Sequence, residues 1–188
     1  MNTLKFYPEK LRKIYELNIK NSGVIIPAED YHNRIFRNVV LLTILFGGLF
    51  YFLKINVLYT IGVFFILHVF FFFRISLKSS SRIRKMEQIF PDVISLMASN
   101  LKSGITIDRA FLLSARPEFS PLDGEILKTG KEIATGKDVV FALINMSKRV
   151  NSEKITKTLM LIISGLRAGG NIANLLEQTS TNMKEKDF

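Results

Sequence analysis

The sequence predicts an all-α protein in which a two-helix transmembrane hairpin is followed by a cytoplasmic antiparallel bundle of about six helices. Two observations carry this prediction. Residues 38–73 contain one charge, Lys54, and ten of the 16 phenylalanines lie between Phe36 and Phe73. From residue 79 onward, apolar residues recur at helical spacing between glycine breaks, and no alternating strand pattern competes with them.

The apolar block divides into two candidate spans at Leu53-Lys54-Ile55-Asn56. Val39–Leu53 and Val57–Phe73 give 15 and 17 residues without a charge. At a rise of ~1.5 Å per residue, each run is slightly shorter than the ~30 Å hydrocarbon core of a bilayer. Flanking Arg and Lys side chains can extend to the headgroups and make up the difference.

Basic residues flank both ends of the hairpin and predict its orientation. Residues 1–37 hold seven Lys and Arg, and Arg82, Arg84 and Lys85 lie beyond the second span. The positive-inside bias then places both termini of a multi-pass inner-membrane protein in the cytoplasm. We expect Arg82, Arg84 and Lys85 to contact anionic lipids or a protein partner.

The predicted domain organisation has three parts. Residues 1–37 form a cytoplasmic N-terminal amphipathic segment and connector, residues 38–73 the hairpin, and residues 74–188 a juxtamembrane helix and the bundle. In the first part, Leu11, Ile14 and their apolar neighbours alternate with Lys and Arg, as in a helix that lies on the membrane surface or is simply solvated.

Small and polar residues inside the hairpin suggest how its helices meet. A turn centred near Ile55 would bring Gly48 opposite Gly62, and Thr43 opposite His68. We expect a neutral His68 bonded to Thr43. A proton relay is the functional alternative for such intramembrane polar groups, but neither span offers an acidic partner.

One pattern recurs three times in the second half of the chain: a glycine, one further residue, and a residue suited to cap the next helix. The first glycines of the three copies are 32 and 33 residues apart. Glycine in a left-handed C-cap followed by Thr, Asp or Asn as N-cap gives a tight corner between helices. The intervening sequences differ, which favours a compact bundle over a repeat array. The corner residues are Gly104, Thr106, Gly136, Asp138, Gly169, Gly170 and Asn171.

The composition offers little for catalysis. The chain has no Cys, two His and no G-x-x-x-x-G-K-[ST] string, so no enzyme activity, metal or cofactor is expected. Glu125 and Glu132 could bind a basic partner, but an ordinary solvated helix face is the simpler interpretation. Residues 86–188 hold 13 basic and 12 acidic residues, which argues against nucleic acid as a partner.

Three segments carry a resemblance to a known family. Residues 90–107 (FPDVISLMASNLKSGITI), 136–143 (GKDVVFAL) and 168–176 (AGGNIANLL) resemble, in that order, the type II secretion system F domain over roughly residues 85–185. Residues 23–31 (GVIIPAEDY), ahead of a hairpin, look like the archaeal and tight-adherence branch. This domain belongs to the platform proteins of type II secretion, type IV pilus and archaellum machines.

The resemblance implies a non-enzymatic membrane platform with a six-helix bundle. Its partners would be a hexameric assembly ATPase, pilin-like subunits, membrane lipids and, as an open question, further copies of itself. Such proteins usually continue into further spans, so a chain that stops at Phe188 is either the N-terminal part of a longer protein or a short variant. A membrane-anchored helical regulatory module that binds another cytoplasmic protein is the alternative.

Overall fold

The computed structural model describes residues 4, 7–24, 26–54, 56 and 58–186. Across these ranges the chain forms α-helices and one short 3-10 turn, with no strand, so the predicted all-α class is confirmed. The chain divides into two compact units, Met1–Arg82 and Ile83–Phe188, with the boundary inside the third helix. The helices are α1 Glu9–Asn21, α2 Ala28–Phe52, α3 Tyr59–Lys102, α4 Ile107–Ser114, α5 Asp123–Ala134, α6 Val139–Val150, α7 Glu153–Arg167 and α8 Ile172–Lys186.

Unit 1 contains two helices that are long and apolar enough to cross a membrane. They are α2, of 25 residues, and α3, of 44 residues. Only 6% of the most apolar window of each is buried within the protein, whereas the core helix of a soluble protein would be mostly buried. The predicted turn centre at Ile55 lies outside the described residues.

A small core in unit 1 joins α1 to the end of the apolar stretch of α3. Tyr15 and Ile19 lie one helical turn apart on α1 and are buried together with Leu4 and Ile75, with Phe72 packed beside them. The pairing of α1 with this part of α3 fixes the N-terminal helix next to the point where Arg74 and Lys78 replace the apolar residues.

Unit 2 is a helical bundle with a continuous apolar core. The predicted stripes are buried: Phe90, Ile94 and Met97 on α3 pack with residues of α5 to α8. In the run from α4 to α8, each helix packs on the next. Together with the last part of α3 this makes six helical segments, as the sequence predicts.

Pro91 lies inside α3, although proline in helices is most common in the first turn. Proline lacks the N–H that would bond the carbonyl one turn earlier, so its place within a helix needs support from neighbours. The Ser180 hydroxyl of α8 donates a buried hydrogen bond of 3.0 Å to the Pro91 carbonyl oxygen. This contact ties the proline-containing turn to the last helix.

Candidate functional site: the corners and exposed faces of the bundle

The three glycine corners share one backbone geometry. Gly104, Gly136 and Gly169 have φ of +83°, +91° and +84°, in the left-handed region that favours glycine. At each corner the glycine N–H and the next N–H donate to carbonyls of the preceding helix, the pair of bonds that defines a Schellman motif. A Cβ added to any of the three would meet no atom within 4 Å. The positive φ, rather than a lack of space for a side chain, is therefore the reason for glycine at these positions.

The N-cap half of the corner differs among the copies. Asp138 accepts hydrogen bonds from the N–H groups of Val140 and Phe141, at 2.9 and 3.2 Å. Asn171 caps α8 in the same way. Thr106 has the extended N-cap backbone but makes no side-chain cap bond, contrary to our expectation. Its hydroxyl bonds the Asp108 carboxylate instead, and this bond lowers the pKa of Asp108.

The third corner is also the most closely packed. A Cβ on Gly165 would lie 2.7 Å from the Leu175 side chain, and a Cβ on Gly170 would lie 2.8 Å from the Gly165 carbonyl oxygen. Helices α7 and α8 therefore approach each other more closely than side chains at these positions would permit. The absence of a side chain at Gly170 therefore permits both the turn and the close approach of the two helices.

A charged cluster links α5 to α6, where we expected a solvated helix face. Arg149 donates to Glu125 at 2.6 Å, to Glu132 at 2.7 Å and to the Thr129 hydroxyl at 3.0 Å. All three side chains of the ion pairs are largely shielded, so Glu125 and Glu132 are engaged within the bundle. The expectation of a solvated face was wrong because Arg149, which follows Glu125 by 24 residues and Glu132 by 17, pairs with both carboxylates.

The same cluster perturbs Glu132 strongly. Asn145 donates to its carboxylate at 3.0 Å and Lys137 at 2.8 Å, and these bonds, with the Arg149 charge, lower the pKa of Glu132 to about 2. Hydrogen bonds to the charged form favour ionisation. Glu132 therefore remains an anion and acts as a fixed acceptor between α5 and α6.

Several large apolar side chains of unit 2 remain exposed. Phe141 on α6 is 62% exposed and Leu161 on α7 is 70% exposed, on consecutive helices. An exposed aromatic side chain is a common anchor at protein interfaces. These two residues were not singled out by the sequence, because each falls within an otherwise regular amphipathic helix.

The three predicted basic contact residues do not behave alike. Arg82 belongs to unit 1, where its guanidinium donates to the Asn21 carbonyl at 3.1 Å and lies against Gly23. Arg84 and Lys85 belong to unit 2 and are exposed. The last two therefore remain accessible to lipids or a partner, whereas Arg82 packs against the connector after α1.

The predicted bond between His68 and Thr43 was wrong. The Thr43 hydroxyl donates to the Val39 carbonyl one turn earlier, at 2.8 Å, as hydroxyls in apolar helices commonly do. His68 pairs through Nε2 with the Tyr7 hydroxyl. The close approach of the two long helices also differs from the predicted pairing of Gly48 with Gly62, because Gly47 faces Thr60 and neither predicted glycine has a neighbour within 4 Å of an added Cβ.

Within the described residues, no group of three or more His, Asp or Glu side chains could hold a metal ion. The bundle has three capped corners between helices and a charged cluster whose members pair with one another. Its exposed apolar side chains form the remaining candidate surface. Such a surface can bind another protein.

The segment that contains the three corners also relates the chain to known proteins. A family profile described as type II secretion system, protein F, matches residues 93–187, half of the chain. The chain belongs to this family. The match falls within unit 2 and includes all three corners. Neither the curated proteins nor the solved structures compared with the chain include a significant match.

Membership of the protein F family identifies a membrane protein of the general secretion and pilus platform type. This agrees with the two exposed apolar helices of unit 1. The sequence could not reveal the Arg149 cluster or the pairing of His68 with Tyr7, since residues far apart in the chain form both.

Proposed function

We propose that this protein F family member is a non-enzymatic platform subunit of a type IV pilus-like, archaellum or type II secretion assembly machine. Its unit 2 docks the cytoplasmic assembly ATPase, a hexamer, and couples it to the insertion of pilin-like subunits. The observation that carries the proposal is the match of the family to a helical bundle with three ordered corners.

The proposed topology is multi-pass, with the apolar parts of α2 and α3 in the inner membrane and both termini in the cytoplasm. The seven basic residues of 1–37 and those after residue 73 support this orientation. Residues 1–37, 38–73 and 74–188 are the proposed N-terminal segment, hairpin, and juxtamembrane helix with bundle.

We assign the chain to the archaeal or tight-adherence branch of the family. The support is the string of residues 23–31 directly ahead of the hairpin. In the structure Pro27 precedes the first turn of α2, with Glu29 and Asp30 in that turn, so the string forms the entry to the long apolar helix.

Exposed side chains on α6 and α7 are the proposed ATPase-binding surface. Phe141 and Leu161 expose apolar area that the bundle does not use, as the apolar anchors of protein interfaces do. Arg84 and Lys85 are a separate proposed contact, for lipids or for an acidic partner.

The test is co-purification of the full-length protein in detergent with the cognate assembly ATPase. Wild type should retain the ATPase, and Phe141→Glu with Leu161→Glu should reduce binding at least tenfold without lowering thermal stability. Lys128→Glu, a charge change at an exposed polar position of α5, is the matched control. Absence of binding by the wild-type protein would contradict the proposal and favour the alternative of a regulatory module with a different partner.

A further inference from the structure

Unit 1 contains a small cavity between α1 and the two long helices. Its polar lining comes from Tyr7, Arg12, His32 and His68, and its apolar lining includes Leu11 and Phe72. The cavity volume is about 10 Å³, which is room for one oxygen atom. The cavity is therefore shaped for a single polar atom rather than for a whole small molecule.

Several nitrogens of the residues that line this cavity have no hydrogen-bond partner among the described residues. His32 is 3% exposed, and neither of its ring nitrogens has a hydrogen-bond partner among the described residues. Arg12 Nε and His68 Nδ1 are likewise buried and unbonded in that part of the chain. Buried polar groups are normally hydrogen-bonded, so a cluster of unbonded nitrogens indicates a missing partner.

The chemistry of these nitrogens selects the partner. Arg12 Nε–H is a permanent donor with a positive charge. When the Tyr7 hydroxyl donates to His68 Nε2, the neutral ring carries its proton on Nδ1, which becomes a second donor. His32 supplies one N–H in either neutral form. Three donors and one positive charge fit an oxyanion, and the arginine disfavours a metal cation.

One competing anion is already nearby. The Glu16 carboxylate lies 3.5 Å from Arg12 Nε, too far for a good hydrogen bond, and Glu16 is exposed. It therefore lies near the guanidinium but leaves the Nε–H of Arg12 unsatisfied.

The position of the cavity indicates where the oxyanion comes from. His68 precedes Arg74, the end of the apolar stretch, by six residues, or roughly 9 Å along a helix, and His32 lies just before Arg34 and Arg37. His32 lies before the apolar stretch that begins at Val39, and His68 lies in the last two turns of the other stretch, so the cavity is at the boundary between headgroups and hydrocarbon if the helices span a bilayer. Leu11, Ile14 and Leu17 of α1 are exposed beside Lys10 and Lys13, as on helices that lie in an anionic membrane surface.

We propose that Arg12, His32 and His68 bind a phosphate oxygen of a membrane phospholipid, whose chains lie along the exposed apolar residues of α1. The inference rests on the membrane placement proposed above but not on ATPase docking. Bound lipid would fix α1 against the hairpin and thereby anchor the N-terminal segment.

The first experiment compares ligands on the full-length protein purified in detergent. Binding is followed by native mass spectrometry and thermal shift with dioleoylphosphatidylglycerol, dioleoylglycerol and inorganic phosphate. We expect phosphatidylglycerol to bind and stabilise the protein, with the other two at least tenfold weaker. Equal binding of dioleoylglycerol would overturn recognition of the phosphate, equal binding of inorganic phosphate would overturn the lipid source, and no binding of any would show a site for water only.

The second experiment compares substitutions at the cavity with control substitutions on the same helix. Arg12→Gln and His32→Phe should each weaken phosphatidylglycerol binding by roughly tenfold, because each removes a donor to a charged acceptor. Lys13→Gln removes a charge from the same helix outside the cavity and should change binding less than threefold. Glu16→Gln should leave binding unchanged or stronger. Equal losses in Lys13→Gln and Arg12→Gln would reduce the effect to general charge and overturn the site. ATPase co-purification by the same variants separates failure of this site from failure of the platform function.

Discussion

The two units contain the same kinds of apolar side chain but place them in opposite surroundings. Phe90 in unit 2 is 1% exposed, whereas Phe70 in unit 1 is 58% exposed. Leu143 and Leu45 repeat this contrast, at 2% and 69%. Unit 2 buries its apolar residues by packing them against one another. Unit 1 leaves them exposed, where an apolar medium outside the protein can cover them. For a member of this family, a lipid bilayer is that medium.

The largest effect is expected from a substitution in the buried core of unit 2. Phe90→Ala should destabilise the bundle by about 3–5 kcal/mol, because it leaves a cavity among Ile94, Met146 and their neighbours. Phe70→Ala, at an exposed position of unit 1, should cost less than about 1 kcal/mol. Hydrogen exchange in detergent measures both effects, at the α6 and α7 amides for Phe90→Ala and at the α2 and α3 amides of unit 1 for Phe70→Ala. Similar losses from both substitutions would mean that Phe70 is packed within the protein.

Substitution of Arg149 tests whether the charged cluster, as well as the apolar core, stabilises unit 2. Arg149→Met should cost about 2 kcal/mol, because it leaves Glu125 and Glu132 shielded without their shared cation. Arg167→Met, at an exposed position of α7, is the control and should stay within about 0.5 kcal/mol. Equal stability of the two variants in chemical denaturation would contradict the assigned role of Arg149.

A substitution at a glycine corner should have a smaller effect on stability and changes only the backbone preference. Gly136→Val should destabilise unit 2 by about 1–2 kcal/mol, since a β-branched residue resists φ of +91° although no atom blocks its Cβ. Gly124→Ala, in the first turn of α5 and also with open space around it, should be neutral or slightly stabilising. Thermal unfolding measures both. If the two substitutions had equal effects, conformation would not be the reason for glycine at the corner.

Local patterns allowed much of this structure to be predicted from sequence. The glycine corners depend on a few consecutive residues, and the long helices depend on runs of apolar residues, so both could be inferred. The prediction failed where a partner was distant: Thr43 bonds its own helix, and His68 meets Tyr7 from the other end of unit 1. Nothing in the local sequence of Glu125 or Glu132 indicates Arg149 as their partner.

The pH dependence of unit 2 should show the smallest effect. The pKa of Glu132 is lowered to about 2 by Asn145, Lys137 and Arg149, below its unfolded value of 4.5. A depressed carboxyl pKa contributes stability above the unfolded value, and that contribution is lost as pH falls toward the folded value. Between pH 5 and about 3.5, wild type should lose about 1 kcal/mol more stability than Glu132→Gln. Parallel curves in acid denaturation would show that Glu132 is not held as an anion.

The central claim is that the apolar helices of unit 1 cross the membrane and unit 2 lies in the cytoplasm. The chain has no cysteine, so single reporters can be introduced at Asn56, Lys128 and Phe65. With a membrane-impermeant maleimide on intact cells, we predict labelling of Asn56→Cys, labelling of Lys128→Cys only after permeabilisation, and protection of Phe65→Cys in both conditions. Labelling of Lys128→Cys from outside intact cells, or of Phe65→Cys without detergent, would contradict the claim.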